Sequence, residues 1–169
     1  MKIVLIGFAA CYKSSVGKLL STSLSLPFVD TDLQVESFFG KSISQIFSQQ
    51  GESVFRNAED TILQSLLGSN VVVSCGGGLP LSDKFGDFCR NAVVVWLTAT
   101  PQTVHSRLGN PPRPLFDGQS VEFLQQKMTE RSPVYSRFAT CVFSTDGKTP
   151  NEVAEDILNY LNLHGRIYK

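Results

Sequence analysis

Apolar residues along the chain gather into five short runs, Lys2–Ile6, Leu26–Val29, Val71–Ser74, Ala92–Leu97 and Thr140–Ser144, with helical spacing between them. The runs are nearly continuous rather than alternating, which predicts strands covered on both faces. This is the pattern of an α/β domain with a parallel sheet. Val16, Leu19, Leu20 and Leu24 recur at helical spacing after Lys13-Ser14. Ser42 reads as the cap of a short helix carrying Ile43, Ile46 and Phe47, and Gly51-Glu52 opens a longer one with Val54, Phe55, Ala58 and Ile62 inward. Thr100-Pro101 predicts a helix to Leu108, and Ser120 one through Arg131 that Ser132-Pro133-Val134-Tyr135 breaks. The last helix starts at Thr149-Pro150-Asn151-Glu152, with Thr at the cap, Pro at the first helical position and Glu at the third.

Three strand ends carry candidate chemistry. Gly7 closes the first strand, Phe8-Ala9-Ala10-Cys11-Tyr12 follow, and Lys13-Ser14 opens the helix. A phosphate-binding loop needs this order: backbone N–H groups and the helix dipole meet an anion, Lys reaches the phosphates and Ser supplies a hydroxyl for Mg²⁺. The pattern asks for glycine just before Lys13, where this chain has Tyr12. Asp30-Thr31-Asp32 stands at the second strand's carboxyl end, where open α/β sheets bind ligands. Asp32 before Leu33 reads equally as the cap of a helix running to Phe39. Gly76-Gly77-Gly78 follows the third strand and predicts something that approaches the backbone closely. Taken alone, Arg56 reads as a surface arginine paired with Glu52 or Glu59. Asn110-Pro111-Pro112-Arg113-Pro114-Leu115 interrupts all periodicity and suits a lid hinge, with Arg113 held among prolines.

Composition narrows the partners. At 169 residues, with 42% hydrophobic and 18% charged residues, the chain suits one ordinary globular domain. Fifteen basic and fifteen acidic side chains cancel, so no global field draws nucleic acid or an anionic membrane. No apolar stretch nears the ~20 residues of a membrane span, and the short start ahead of the first strand lacks a secretory pattern, so the expected location is cytoplasmic. Cys11, Cys75, Cys89 and Cys141 lack metal or redox spacing and read as free thiols, Cys11 being flagged as modifiable from its place in the loop. His105 and His164 have no partner at ligand spacing and read as solvated or locally bonded.

In order and spacing these stretches resemble shikimate kinase, of the nucleoside monophosphate kinase-like branch of phosphate-loop proteins, from Lys2 to about Leu161. The resemblance rests on Gly7 with Lys13-Ser14 and Val16-Gly17, Pro27 to Asp32, Gly51-Glu52 with Phe55-Arg56 and Glu59, and Gly76 to Gly78. It continues through Arg107-Leu108, Arg113-Pro114-Leu115, Arg131 with Pro133 and Tyr135, and Thr145-Asp146. It implies a three-layer α/β sandwich with a five-stranded parallel sheet, a single kinase domain over residues 1–169. The core would be 1–31, 68–109 and 138–169, the substrate-binding helices 32–67 and the lid 110–120. Its activity would be ATP-dependent phosphorylation of shikimate, by a monomer. Gly7, Ala10, Cys11, Tyr12, Lys13, Ser14 and Ser15 would hold the ATP phosphates, and Ser14 with Asp30 would hold Mg²⁺. Arg107, Lys148 and Pro150 would enclose adenine. Asp32 would orient and deprotonate the acceptor hydroxyl, Arg56 and Arg131 would grip the shikimate carboxylate over Gly76, Gly77 and Gly78, and Arg113 would reach the transferring phosphate beside Lys13.

The chain departs from that family where Ala10 and Tyr12 replace glycines and Ser15 replaces threonine. A side chain at a left-handed position costs ~1–2 kcal/mol, so Tyr12→Gly is expected to tighten nucleotide binding. Two alternatives follow: an inactive protein that binds the acid without productive ATP binding, and a kinase for another hydroxylated acid such as gluconate. Retention of Lys13, Ser14, Asp30, Asp32, Arg56, Gly77, Arg113 and Arg131 speaks against the first, and the combination of Asp32, Arg56 and Arg131 against the second.

Overall fold

The computed structural model describes residues 1–109 and 116–166. In chain order the elements are β1 (Lys2–Ile6), α1 (Lys13–Leu24), β2 (Phe28–Asp30), α2 (Thr31–Phe39), α3 (Ile43–Gln50), α4 (Glu52–Ser65) and β3 (Val71–Ser74). After a 3-10 turn at Leu79–Leu81 come α5 (Phe85–Phe88), β4 (Val93–Thr98), α6 (Pro101–Arg107), α7 (Val121–Phe138), β5 (Cys141–Ser144) and α8 (Pro150–Leu163). The predicted strands are all present, with the second, fourth and fifth displaced by one or two residues at their ends.

All neighbouring strands pair in parallel, in the order β2-β3-β1-β4-β5. Successive β1 side chains point to opposite faces and so divide two cores. Ile3 and Leu5 pack with Val16 and Leu20 of α1 and Ile157 and Leu161 of α8. Val4 and Ile6 pack with Leu63 of α4, Phe85 and Phe88 of α5 and Tyr135 of α7. A third, smaller cluster of Val35, Ile46 and Phe55 binds α2, α3 and α4 to one another. β1 and β3 are buried along their whole length, whereas β5 at the edge alternates between partly buried and exposed positions.

Two boundaries differ from expectation. Asp30, not Asp32, caps α2: its Oδ1 accepts from the Asp32 and Leu33 backbone N–H groups at 3.1 and 3.3 Å, leaving Asp32 in the first turn. The break predicted at Ser132–Tyr135 does not occur, because α7 runs through Pro133 to Phe138. Proline removes one N–H and crowds the preceding turn. Here the packing beyond it offsets that cost: Tyr135 lies against Trp96, with ring centroids 5.8 Å apart, and Phe138 edges on to Phe85 at 5.0 Å.

Candidate active site

The carboxyl ends of β1, β2 and β3 meet above the sheet, with Leu5 and Asp30 both in register with Ser74. Two structures grow from this point, a loop after β1 and a glycine turn after β3.

The loop begins at Gly7, whose φ of 141° lies against the Leu97 carbonyl where a Cβ would collide. Ala10 and Tyr12 then adopt left-handed φ values of 58° and 63°. Left-handed residues in such a turn gather successive N–H groups into an anion-binding nest. α1 starts at Lys13 with no acidic residue in its first turn, so its positive end is left for an anion. The Lys13 ammonium curls back over the loop to donate to the Phe8 carbonyl at 2.7 Å. Ser14 Oγ donates to Asp30 Oδ2 at 2.5 Å and lies 3.3 Å from Ser74 Oγ. A hydroxyl touching a carboxylate at the mouth of a phosphate loop fits Mg²⁺, which prefers oxygen donors and keeps waters and phosphates as its other ligands. Among the described residues no group of three or more His, Cys, Asp or Glu side chains is placed to hold a metal ion. Cys11 is buried and burial pushes its thiol pKa up, against its flagging as modifiable.

Arg107, at the end of α6, reaches the same loop. Its Nη1 donates to the Ala10 carbonyl at 3.3 Å and to Thr145 Oγ1 at 2.8 Å, and its Nη2 to the Thr145 carbonyl at 2.7 Å. The guanidinium carbon lies 3.8 Å from the centre of the Tyr12 ring. From Thr145 a turn leads to Lys148, whose Nζ pairs with Asp156, and to Pro150 at the start of α8.

The glycine turn is a floor on which three of the predicted site residues converge. A Cβ on Gly76 would collide with Asp32 Oδ1; one on Gly77 would lie 3.2 Å from Arg131 Nη1; one on Gly78 would lie 2.9 and 3.0 Å from the Arg56 Nη atoms. Each glycine therefore faces one of the predicted residues so closely that a Cβ would make that side chain shift. The floor also abuts the loop, since the Gly77 position lies 3.6 Å from the Gly7 carbonyl. Two residues that the sequence reading gave no role hold it in place. Thr31 Oγ1 accepts from the Gly76 N–H at 2.8 Å, and the Tyr135 hydroxyl donates to the Gly77 carbonyl at 2.6 Å. Burial pushes the Tyr135 phenol up to about 12, so it stays a donor. Tyr135 stands four residues after Arg131 on one helix face, a relation hidden by the break expected at Pro133.

Arg56 does pair with Glu52 at 3.0 Å and with Glu59 at 2.7 Å, as its bland reading expected. Glu59 is only 2% exposed, however, so the pair is no surface ornament: it aims the guanidinium at Gly78. Burial pushes the Glu59 carboxyl up to about 7; the Arg56 charge opposes this and Asp32 adds to it. Arg131 lies over Phe8 and Phe116 at 5.3 and 5.6 Å, and among the described residues no carboxylate forms an ion pair with it. Arg113 and the first part of the expected lid lie outside the described residues. His164 bonds the Tyr160 carbonyl and His105 is exposed on α6, both apart from the site. No helix among the described residues is long and apolar enough to cross a membrane.

Comparison with known proteins agrees with this geometry. The sequence model of the shikimate kinase family matches residues 9–162. The shikimate kinase of Persephonella marina is 39% identical over 159 residues, covering 92% of this chain and 96% of its own. That of a Sulfurihydrogenibium species is 40% identical over 159 residues, covering 92% and 95%. Among solved structures, shikimate kinase from Acinetobacter baumannii in complex with shikimate superposes with a TM-score of 0.87 at 27% identity, covering 99% of this chain and 95% of its own. Shikimate kinase from Aquifex aeolicus superposes with a TM-score of 0.83 at 36% identity, covering 98% of both. The chain belongs to the shikimate kinase family.

Proposed function

We propose that this chain transfers the γ-phosphoryl group of ATP to the 3-hydroxyl of shikimate. The observation that carries the reading is the glycine floor: Asp32, Arg131 and Arg56 each stand over one of three consecutive glycines, directly beside a Lys13-Ser14 phosphate loop. A small hydroxylated ring fits on bare backbone, and its carboxylate fits between guanidinium forks that bond it bidentately.

Arg131 and Arg56 bind the acid and fix its register, Glu59 holding Arg56 in position. Asp32 accepts the proton of the hydroxyl aimed at it, a contribution of typically ~10²–10⁴-fold. Lys13 leaves the Phe8 carbonyl for the phosphates, and the loop amides cradle them. Lys13 and Arg113 offset charge on the equatorial oxygens of a loose transition state, where positioning and cations supply most of the rate. Ser14 and Asp30 would hold Mg²⁺, which would supply positive charge against the negative charge of the phosphates. Arg107 and the Lys148–Pro150 turn enclose the base. Specificity follows because a site built for a carboxylate and hydroxyls rejects molecules that leave those groups unpaired.

A coupled assay of ADP release tests the reading. ADP is expected with Mg-ATP and shikimate together, little with Mg-ATP alone, and little with gluconate in place of shikimate. Absence of shikimate-dependent ADP, or faster release with gluconate, would overturn it.

A further inference from the structure

Tyr12 occupies a position where this loop prefers glycine, with φ of 63°. An ordinary side chain there costs ~1–2 kcal/mol, and strain of this kind persists where surrounding contacts over-determine the conformation. The contacts are on Arg107. The Tyr12 ring lies flat enough beneath the guanidinium to put its centre 3.8 Å from the central carbon, inside the ~6 Å range of a cation–π contact. Ala10, the other left-handed residue of the loop, offers its carbonyl to the same guanidinium at 3.3 Å. Both departures from glycine therefore converge on one side chain.

The rest of Arg107 is fixed as well. Its other hydrogen bonds go to Thr145, which is fully buried and opens the turn towards Lys148 and Pro150. Edge bonds to Ala10 and Thr145 set the guanidinium plane, and the ring covers one face of it. An arginine has many rotamers to lose when it stacks on a ligand, at about 0.5–1.5 kcal/mol per immobilised side chain. Here that loss is taken on folding rather than on binding.

We infer that Tyr12 is a positioning residue for the nucleotide base: its ring backs one face of the Arg107 guanidinium and presents the opposite face, already ordered, as the platform on which adenine stacks. The inference rests on the proposed use of ATP and on Arg107 as the base-contacting residue. It makes the phosphate loop serve the base as well as the phosphates, through the side chain least suited to such a loop by its size. It also reverses the expectation drawn from strain alone, in which removing the ring helps the nucleotide.

Calorimetry with Mg-ATP and with Mg-tripolyphosphate, which has phosphates but no base, separates the base platform from the phosphate nest. Tyr12→Leu is expected to weaken ATP by about three- to tenfold while leaving tripolyphosphate within twofold of wild type, and Tyr12→Phe to restore ATP binding. Shikimate titration of each variant reports that the fold is intact. Combined with Arg107→Lys, the Tyr12→Leu effect on ATP should largely vanish, because both changes break one contact. Tighter ATP binding in Tyr12→Leu, equal weakening of ATP and tripolyphosphate, or additive effects in the double variant would each overturn the inference. Failure of the wild type to bind any nucleotide while binding shikimate would instead bring down the proposed function beneath it.

Discussion

The two halves of the site treat glycine in opposite ways. In the Gly76–Gly78 floor, glycine is wanted for space: a Cβ on Gly76 would collide with the Asp32 carboxylate, and one on Gly77 or Gly78 would press on an arginine fork that must then shift. In the phosphate loop, glycine is wanted for conformation, and Ala10 and Tyr12 hold the left-handed angles without it. A conformational preference of ~1–2 kcal/mol can be offset by a few good contacts, and Arg107 supplies them. A steric clash is relieved only by moving the side chains it meets, and here those are Asp32, Arg131 and Arg56. The comparison explains how the chain departs from the family at one glycine cluster and keeps the other.

The largest effects should come from the floor. Asp32→Asn keeps the space but accepts no proton, so kcat at saturating substrates should fall by ~10²–10⁴-fold with the melting temperature little changed. Gly76→Ala should fall towards the same level with Asp32 intact, because the added methyl displaces the carboxylate; near-normal turnover there would break the distinction between the two glycine clusters. Arg131→Ala should weaken shikimate by about 2–5 kcal/mol without unfolding the protein, read by shikimate titration. Arg56→Ala should do the same and also lower the melting temperature, since it strands Glu59 in the interior.

Glu59 gives a pH signature of intermediate size. Its carboxyl is raised from an ordinary 4.5 to about 7, chiefly by burial, so between those values the folded chain holds a proton that the unfolded chain has lost. Stability should therefore fall as pH rises through that window and level off above it. Thermal melts from pH 4.5 to 8 should show this slope in the wild type and a flatter one in Glu59→Gln. The smallest effect should be that of Ala10→Gly: relief of strain and the greater freedom of the unfolded chain oppose one another, leaving ATP affinity and melting temperature near wild type, within ~1 kcal/mol.

Much of this was legible in the residues because it depends on local pattern. The buried strands are continuous apolar runs, Ser42 and Thr149 cap their helices as read from the sequence, and the three glycines announced a close approach. What was not legible depends on contacts between distant segments. Pro133 speaks for a break in any local reading, and only the packing of Tyr135 and Phe138 keeps α7 whole. Asp30 and Asp32 are both fit to cap a helix; the choice fell to Asp30 because β2 ends there and Ser14 takes its other oxygen. Arg56 is both the paired arginine of its bland reading and a member of the site, and nothing near it in sequence reveals that Glu59 is buried. Tyr12 looked only like a defect in the loop, since Arg107, its partner, lies far along the chain.

The central claim is that the phosphate loop remains a working nucleotide site with Ala10 and Tyr12 in it. Calorimetric titration of the wild-type protein with Mg-ATP, in parallel with shikimate, addresses it most directly. Saturable heat for each ligand, with one nucleotide and one acid bound per chain, is the result expected. Heat for shikimate with none for Mg-ATP would contradict the claim and leave an acid-binding fold that is no kinase.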